Sequence, residues 1–329
     1  MDFARRAVLA SCAAGLISAV SSSSGVAQPF PTRPVTMIVP AAAGGPLDVI
    51  ARILSEPMRG SLGQPVVIEN VGGADGSIGT GRAARAKPDG YTIEVGFMGG
   101  NVLNGAFYSL PYDVYDVLND LIPISPLAST PLVLFASRLV PARDLAELIA
   151  WLKANPGKAS AGIASIERRL VAALFQKETG TQFALVPYRG TAPAVQDLVA
   201  GQIDLLIDTA IQLPLVRAGS IKAYAVTSDT PMPLAPDIPS FSDSGFRTLS
   251  YSQWFGLFAP RGTPQDIIEK LNLATADALA DPAVRNRFDE IGFEIFSRDQ
   301  QTAGKLREMV EADAKKWWPI IRELRIKPE

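Results

Sequence analysis

"IVPAAAGGPLDVIARIL", residues 38–54, decides how this chain is built. It begins as an apolar strand, passes through a loop of alanine and glycine, and enters a helix at Pro46. Proline suits a first helical position, because an N–H there would have no intrahelical partner. Leu47, Ile50, Ala51, Leu54 and Met58 then recur at spacings of three and four, which predicts one apolar helix face. Pro57 predicts a kink or an end near the last turn.

Working outward, strands at 35–39 and 66–68 are followed by the glycine-rich "NVGGADGSIG", residues 70–79. A short helix to about 86, a turn at Pro88-Asp89-Gly90 and a strand at 91–97 come next. Strands separated by helices of this length predict parallel pairing in an α/β sheet. "LIPISPLASTPLVLFAS", residues 121–137, is extended, broken by prolines, and reads as a crossing between domains. The pattern then resumes: helix 145–154, strand 159–163, a helix ending near Lys177, strand 184–187, helix 192–200 and strand 203–208. Residues 222–228 read as a further strand and the second crossing. Thr263-Pro264 and Asp281-Pro282 read as helix starts, each a cap with a proline behind it. A long helix follows Ser297, with Leu306, Val310, Trp317 and Ile321 on its apolar stripe. Trp317 and Trp318 read as core packing of that helix rather than as a ligand platform. Two halves joined by two crossings predict a clamshell: domain 1 in residues 28–123 and 229–329, domain 2 in residues 124–228.

The 329 residues carry 31 Lys+Arg against 33 Asp+Glu, and 47% are apolar. That is a globular chain large enough for two cores, without the basic surplus of a nucleic-acid binder. Residues 1–27 differ in kind. Arg5 and Arg6 precede a small, apolar run over residues 7–20, and Gly25 and Ala27 stand where a signal peptidase reads. The run is too short for a bilayer, which needs about 20 apolar residues. The expectation is an exported, periplasmic protein cleaved near Ala27, by an export route left open.

The chain has no histidine, and its one cysteine, Cys12, leaves with the signal. A Ser-His-Asp triad, a Cys-His pair, a histidine metal ligand and a disulfide are therefore all excluded from the mature protein. "GSIGTG", residues 76–81, has the wrong glycine spacing for a dinucleotide fingerprint. Paired carboxylates remain open as acid and base, but no pair stands out. The absences favour a binding protein needing no cofactor and no metal.

Several stretches together resemble one family: "IVPAAAGGPLDVIAR", "GQPVVIEN", "KPDGYT", "LPYD", "VPYRGTAPAVQDLVAGQIDLLID", "AYAVTS", "WFGLFAPRGTP" and "LADPAVRNRF". They are similar to the Bug-type extracytoplasmic receptors of tripartite tricarboxylate transporters, in family order and over nearly the whole mature chain. The resemblance implies a type II periplasmic binding-protein fold, with two α/β domains, a two-stranded hinge and a cleft between them. It implies a monomeric, non-enzymatic receptor that captures a small carboxylate for integral membrane permease subunits. Two alternatives remain: a ligand-sensing subunit of a membrane signalling system, and an exported lyase or hydrolase using carboxylates.

The resemblance also places a ligand site. The loop Ala41, Ala42, Ala43, Gly44, Gly45 with Asp48 matches the one that offers backbone N–H groups to a ligand carboxylate. Physics alone leaves two readings equal, an anion site at a helix start or a tight turn. Asp48 is read as a cap of its own helix. Across the cleft the second helix start falls at Gly162, Ile163, Ala164 and Ser165, where the family's stretch is rich in glycine and small hydroxyls and ends in histidine. This chain instead has Glu167, Arg168 and Arg169. Cations there oppose the helix dipole by roughly 0.3–1 kcal/mol each. Arg168 or Arg169 therefore either meets a ligand carboxylate or pairs with solvent or a nearby acid such as Glu167. Met98, Asn101, Tyr188 and Asp208 complete the expected lining, with Asp208 open to a structural use and Trp254 and Phe255 read as packing. Ala41 stands where the family has an aromatic and Leu47 where it has a hydroxyl. Both changes point to a ligand with an apolar or aromatic body.

Overall fold

Alternation decides where β1 (Val35–Val39) goes. Val35, Met37 and Val39 enter one core and Ile38 the core on the opposite face, as period-two geometry requires. The computed structural model describes residues 30–107 and 115–324. The signal-peptide reading of residues 1–27 falls outside them. Helix α1 (Pro46–Leu62) lays Ile50, Ala51, Leu54, Met58 and Leu62 on that first core. It continues past Pro57 for five more residues, so the proline does not end it. Met58 and Leu62, buried on either side of the following turn, hold the helix together despite the missing N–H.

The chain continues through β2 (Val66–Asn70), α2 (Ser77–Ala84), β3 (Thr92–Phe97), a π-helical turn at Gly99–Leu103 and the short α3 (Asn104–Phe107). β2 and β3 flank β1 in parallel, as the helical crossovers predict. β4 (Leu121–Ser137) is the long extended stretch of the sequence, and it serves both halves. Beyond it come α4 (Leu145–Ala154), β5 (Ser160–Ile163), α5 (Ile166–Thr179), β6 (Ala184–Pro187), α6 (Thr191–Ala200), β7 (Leu205–Thr209), α7 (Leu213–Arg217) and β8 (Ile221–Val226). β5 pairs in parallel with β6 and β7, while β7 and β8 run antiparallel to the C-terminal part of β4. β9 (Ser252–Pro260) then lies antiparallel between β3 and the N-terminal part of β4. α8 (Gln265–Ala280), α9 (Pro282–Glu290), β10 (Glu294–Ile295) and α10 (Ala303–Glu323) finish the first half and pack back across β4.

Two helix starts test the capping expectations. Asp281 accepts from the Ala283 and Val284 amides, at 2.7 and 3.4 Å, and so caps α9 as expected. Thr263 does not cap α8: its hydroxyl donates to the Pro260 carbonyl at 2.8 Å, and Pro264 takes the cap position. Trp317 is buried edge-on against Tyr251, with ring centroids 5.5 Å apart, so the packing reading of that residue stands.

Within residues 222–228, read as the second crossing, it is Thr227 just after β8 that leads back. β8 stays beside β4, and Met232, Ala235 and Ile238 after it pack with Val133, Phe135 and Ile221 of the same half. The return is made where Thr227 meets Leu132 and Tyr251. The Thr227 amide donates to the Leu132 carbonyl at 2.8 Å, and its hydroxyl accepts from the Leu132 amide at 2.8 Å. That hydroxyl donates to the Tyr251 carbonyl at 2.6 Å, and the Tyr251 amide donates to the Thr227 carbonyl at 2.8 Å. One buried threonine thus ties the three segments that pass between the halves. Thr227→Val keeps the shape and removes the hydroxyl, leaving a buried N–H and a buried carbonyl without partners. A loss of about 2–5 kcal/mol in urea unfolding is expected; a loss under about 0.5 kcal/mol would show that the tie carries no weight.

Candidate functional site

Some of the expected site residues fall where the two halves meet, Ala42 and Arg168 among them, and most of the expected residues have partners inside the protein. In the loop before α1, Gly44 sits at φ 84°, a left-handed conformation that favours glycine. Its amide donates to Asp48 Oδ2 at 2.9 Å. Asp48 also accepts from Arg52 through both oxygens and from Asn70 Nδ2 at 3.0 Å. Burial works to raise its pKa, but Arg52, the Gly44 amide and Asn70 outweigh it and hold the group below the ordinary carboxylate value. Asp48 therefore locks the loop rather than reaching across the cleft. Ala42, Ala43 and Gly44 stay exposed, and Ala41 is half-buried. Leu47 turns into the first core, 6% exposed, so it does not make the cleft less polar as its position implied. The hydrophobic stripe of α1 claims it.

From the other half, Gly190 at φ 109° begins α6. A Cβ built on it would lie 3.6 Å from Ala42 Cβ, so the two walls meet at this point. Arg189 beside it is exposed. Tyr188 donates its hydroxyl to Asp197 at 2.6 Å, and burial with that carboxylate pushes its pKa up to about 12. Gly162 and Ile163 belong to the β5 core. A Cβ at 162 would lie 2.6 Å from the Ile203 Cδ1, which would have to turn aside.

The centre of the interface is ionic. Arg168, in the first turn of α5, is 4% exposed and donates to Asp208 Oδ1 at 2.8 Å, to Gln253 Oε1 at 2.9 Å and to Ser165 Oγ at 3.1 Å. Glu167 lies 3.5 Å from the same guanidinium. Its carboxylate accepts from Ser165 Oγ at 2.6 Å and from the Gly99 amide of the first half at 2.8 Å. Asp208 also accepts from Gln212 Nε2 at 3.0 Å. Of the two roles left open for Arg168, the structure provides the internal one: Asp208 and Glu167 answer its charge. Burial pushes the Glu167 pKa up, with Arg168, Ser165 and the Gly99 amide pulling against it. Burial also works to lower that of Arg168, but Asp208 and Glu167 overcome it and hold the guanidinium charged. The Arg168 Nε–H is left without an acceptor.

Glu167, Gln253 and Glu94 were not among the expected lining residues. Glu167 had a signal, since it lies three before Leu170 and seven before Leu174 and so falls on the buried stripe of its helix. Gln253 had none, because β9 alone brings it there. Met98 accepts a hydrogen bond from the Tyr251 hydroxyl at 3.4 Å. Asn101 accepts from the Phe97 amide at 2.9 Å and donates to Glu94 at 3.2 Å, so it supports the turn after β3 from behind. Trp254 and Phe255 are buried in packing. Two cavities, of about 330 Å³ beside Phe258 and Val310 and about 240 Å³ beside Ser250 and Trp317, lie away from the expected loops. Among the described residues no cluster of three or more His, Cys, Asp or Glu is placed to hold a metal, and no helix is long and apolar enough to cross a membrane.

Comparison with known proteins places this geometry. The family model described as "Tripartite tricarboxylate transporter family receptor" matches residues 50–326. BugT of Bordetella pertussis is 34% identical over 311 residues, covering 92% of this chain and 94% of BugT. The structure of periplasmic binding protein BugD superposes with a TM-score of 0.86 at 34% identity, covering 91% of this chain and 100% of that one. MatC from Rhodopseudomonas palustris, solved with bound malate, gives 0.84 at 34% identity, covering 89% and 100%. The fold is therefore the two-domain binding-protein fold that the resemblance implied.

Glu94 generates a test. It is fully buried behind Asn101, and burial raises its pKa from 4.5 to about 7, only partly offset by Thr80 and Asn101. Between those values the folded chain keeps a proton that the unfolded chain gives up. Stability is thus lost as pH rises through that window, by at most about 3 kcal/mol. Glu94→Gln has no proton to lose, so its stability relative to wild type should climb between pH 5 and pH 8 in urea melts. Parallel pH profiles would refute the assignment.

Proposed function

This chain belongs to the tripartite tricarboxylate transporter receptor family, and on that premise we propose that it is a periplasmic receptor. It captures a small organic carboxylate between its halves and delivers it to a membrane permease. The observation that carries this reading is a carboxylate already bridging the halves, that of Glu167 on the Gly99 amide and the Ser165 hydroxyl. The interface is chemically suited to an oxyanion, since amide N–H groups and a hydroxyl in a water-poor setting replace the hydration a carboxylate gives up. The loop over Ala41, Ala42, Ala43, Gly44 and Gly45, exposed at its three central residues, offers a second place for one. The amides of Leu47 and Asp48 follow it at the start of α1, where N–H groups lack intrahelical acceptors. Arg189 at the facing helix start adds positive charge at that end.

Opening and closing about the β4 and Thr227 crossings gives the ligand its way in, and the closed form is what a permease distinguishes. The halves move as domain 1 and domain 2, with residues 232–238 travelling with the second because they pack there. No chemistry is performed on the ligand: the family is one of receptors, and the chain has no histidine. Residues 1–27 serve export, and the mature protein acts as a monomer.

Native mass spectrometry of the purified protein should reveal a retained organic acid. Adding that acid should raise the melting temperature with concentration, by an amount equivalent to about 2.7 kcal/mol at a hundred times Kd. A melting temperature unmoved by every acid of a broad carboxylate panel would defeat the reading.

A further inference from the structure

We infer that Glu167 sets the charge of the ligand: it fills the place a second ligand carboxylate would take, so the receptor selects monocarboxylates with a neutral or cationic remainder over di- and tricarboxylates. The inference rests on the receptor reading above and names the substrate class of that same site.

Three observations on separate elements carry it. Glu167 reaches out of its own half and takes the Gly99 amide of the other, so its carboxylate stands between the walls. It is fully buried there and shares the Ser165 hydroxyl with Arg168. The Arg168 guanidinium, which would otherwise attract an anion, is already answered by Asp208 at 2.8 Å and Glu167 at 3.5 Å. A ligand carboxylate arriving at this end meets two carboxylates, already held by hydrogen-bond donors of the protein, and one guanidinium. Like charges in a water-poor site disfavour each other strongly. The opposite end differs: the exposed loop at Ala42 and Ala43 and the exposed Arg189 present backbone and a cation, while Asp48 is held by Arg52 and the Gly44 amide. One end therefore accepts a carboxylate and the other repels it. Tyr251 and Asp313 also lie near the ionic end, the first within the field of Glu167 and Arg168 and the second within that of Tyr251. Lys316, the cation beside Asp313, is exposed to solvent. The Arg168 Nε–H, buried and without an acceptor, is a donor to which a neutral polar group of the ligand can bond.

Matched acids differing by one carboxylate test this: hexanoate against adipate, benzoate against terephthalate, and 6-aminohexanoate and malate beside them. Calorimetric titration of the wild type should favour the monocarboxylate of each binding pair by tenfold or more. Glu167→Gln keeps an oxygen for the Gly99 amide and removes the charge. It should bind the dicarboxylates at least tenfold better and change the monocarboxylates little, with a thermal melt confirming that it is folded. Should that variant not fold, Asp208→Asn, which removes the other carboxylate on Arg168, should shift the same ratio in the same direction. Wild type binding adipate or malate as tightly as the variant does overturns the charge filter and leaves the receptor intact. Failure of a broad carboxylate panel to bind either protein overturns both.

Discussion

Strand β4 is the constraint on which the other elements depend. It runs for 17 residues, ~56 Å at a strand's rise per residue, and pairs with β9 and β10 at one end and with β7 and β8 at the other. Its prolines explain how one strand can belong to two halves. Proline has no N–H to give a ladder, and the register against β9 shifts between Pro123 and Ser125 and again between Pro126 and Ala128. The strand bends at those points without giving up its burial. Past Pro131 the alternation is clean: Leu132, Leu134 and Ala136 enter the core shared with α5 and α10, Val133 and Phe135 the core on the other face.

This continuity makes the interface between the halves narrow and exacting. β4 and the Thr227 tie fix how the two sheets face each other, and α5 then delivers Glu167 and Arg168 to the seam. Burying a guanidinium and two carboxylates is costly unless each finds partners. Asp208, Gln253, Ser165 and the Gly99 amide provide them, drawn from both halves. Parting the halves breaks the Gly99 and Gln253 bonds and exposes the cluster to water, where ionic groups are well solvated.

The elements were largely legible in the sequence. β1, β4, α4 and β6 fall at the expected bounds, because each combines a clear period with turn or cap residues at its ends. β9 gave no strand signal of its own. Its run from Trp254 to Phe258 is uniformly apolar, since α8 and α10 cover its faces while β3 and β4 flank it, and such a run lacks the alternation that marks a half-buried strand. The site was legible at its edges and obscure at its centre. The 41–45 loop and the helix start at Gly190 were marked by glycine and proline. Ser165 and Glu167 lie beside Arg168 in sequence, but its partners Asp208 and Gln253 lie 40 and 85 residues away, and no local pattern couples them to it.

The sequence by itself determined the α/β class, the order of the elements, the absence of histidine chemistry and the family, because these follow from periodicity, composition and motifs read along the chain. Tertiary structure alone decided what the charged groups do. Asp48 turned back to its own loop, Arg168 found a counter-ion on β7 besides its neighbour Glu167, and Glu167 crossed to the opposite wall. A charge is placed by whichever partners the fold brings within hydrogen-bond reach, and that proximity is a property of three dimensions.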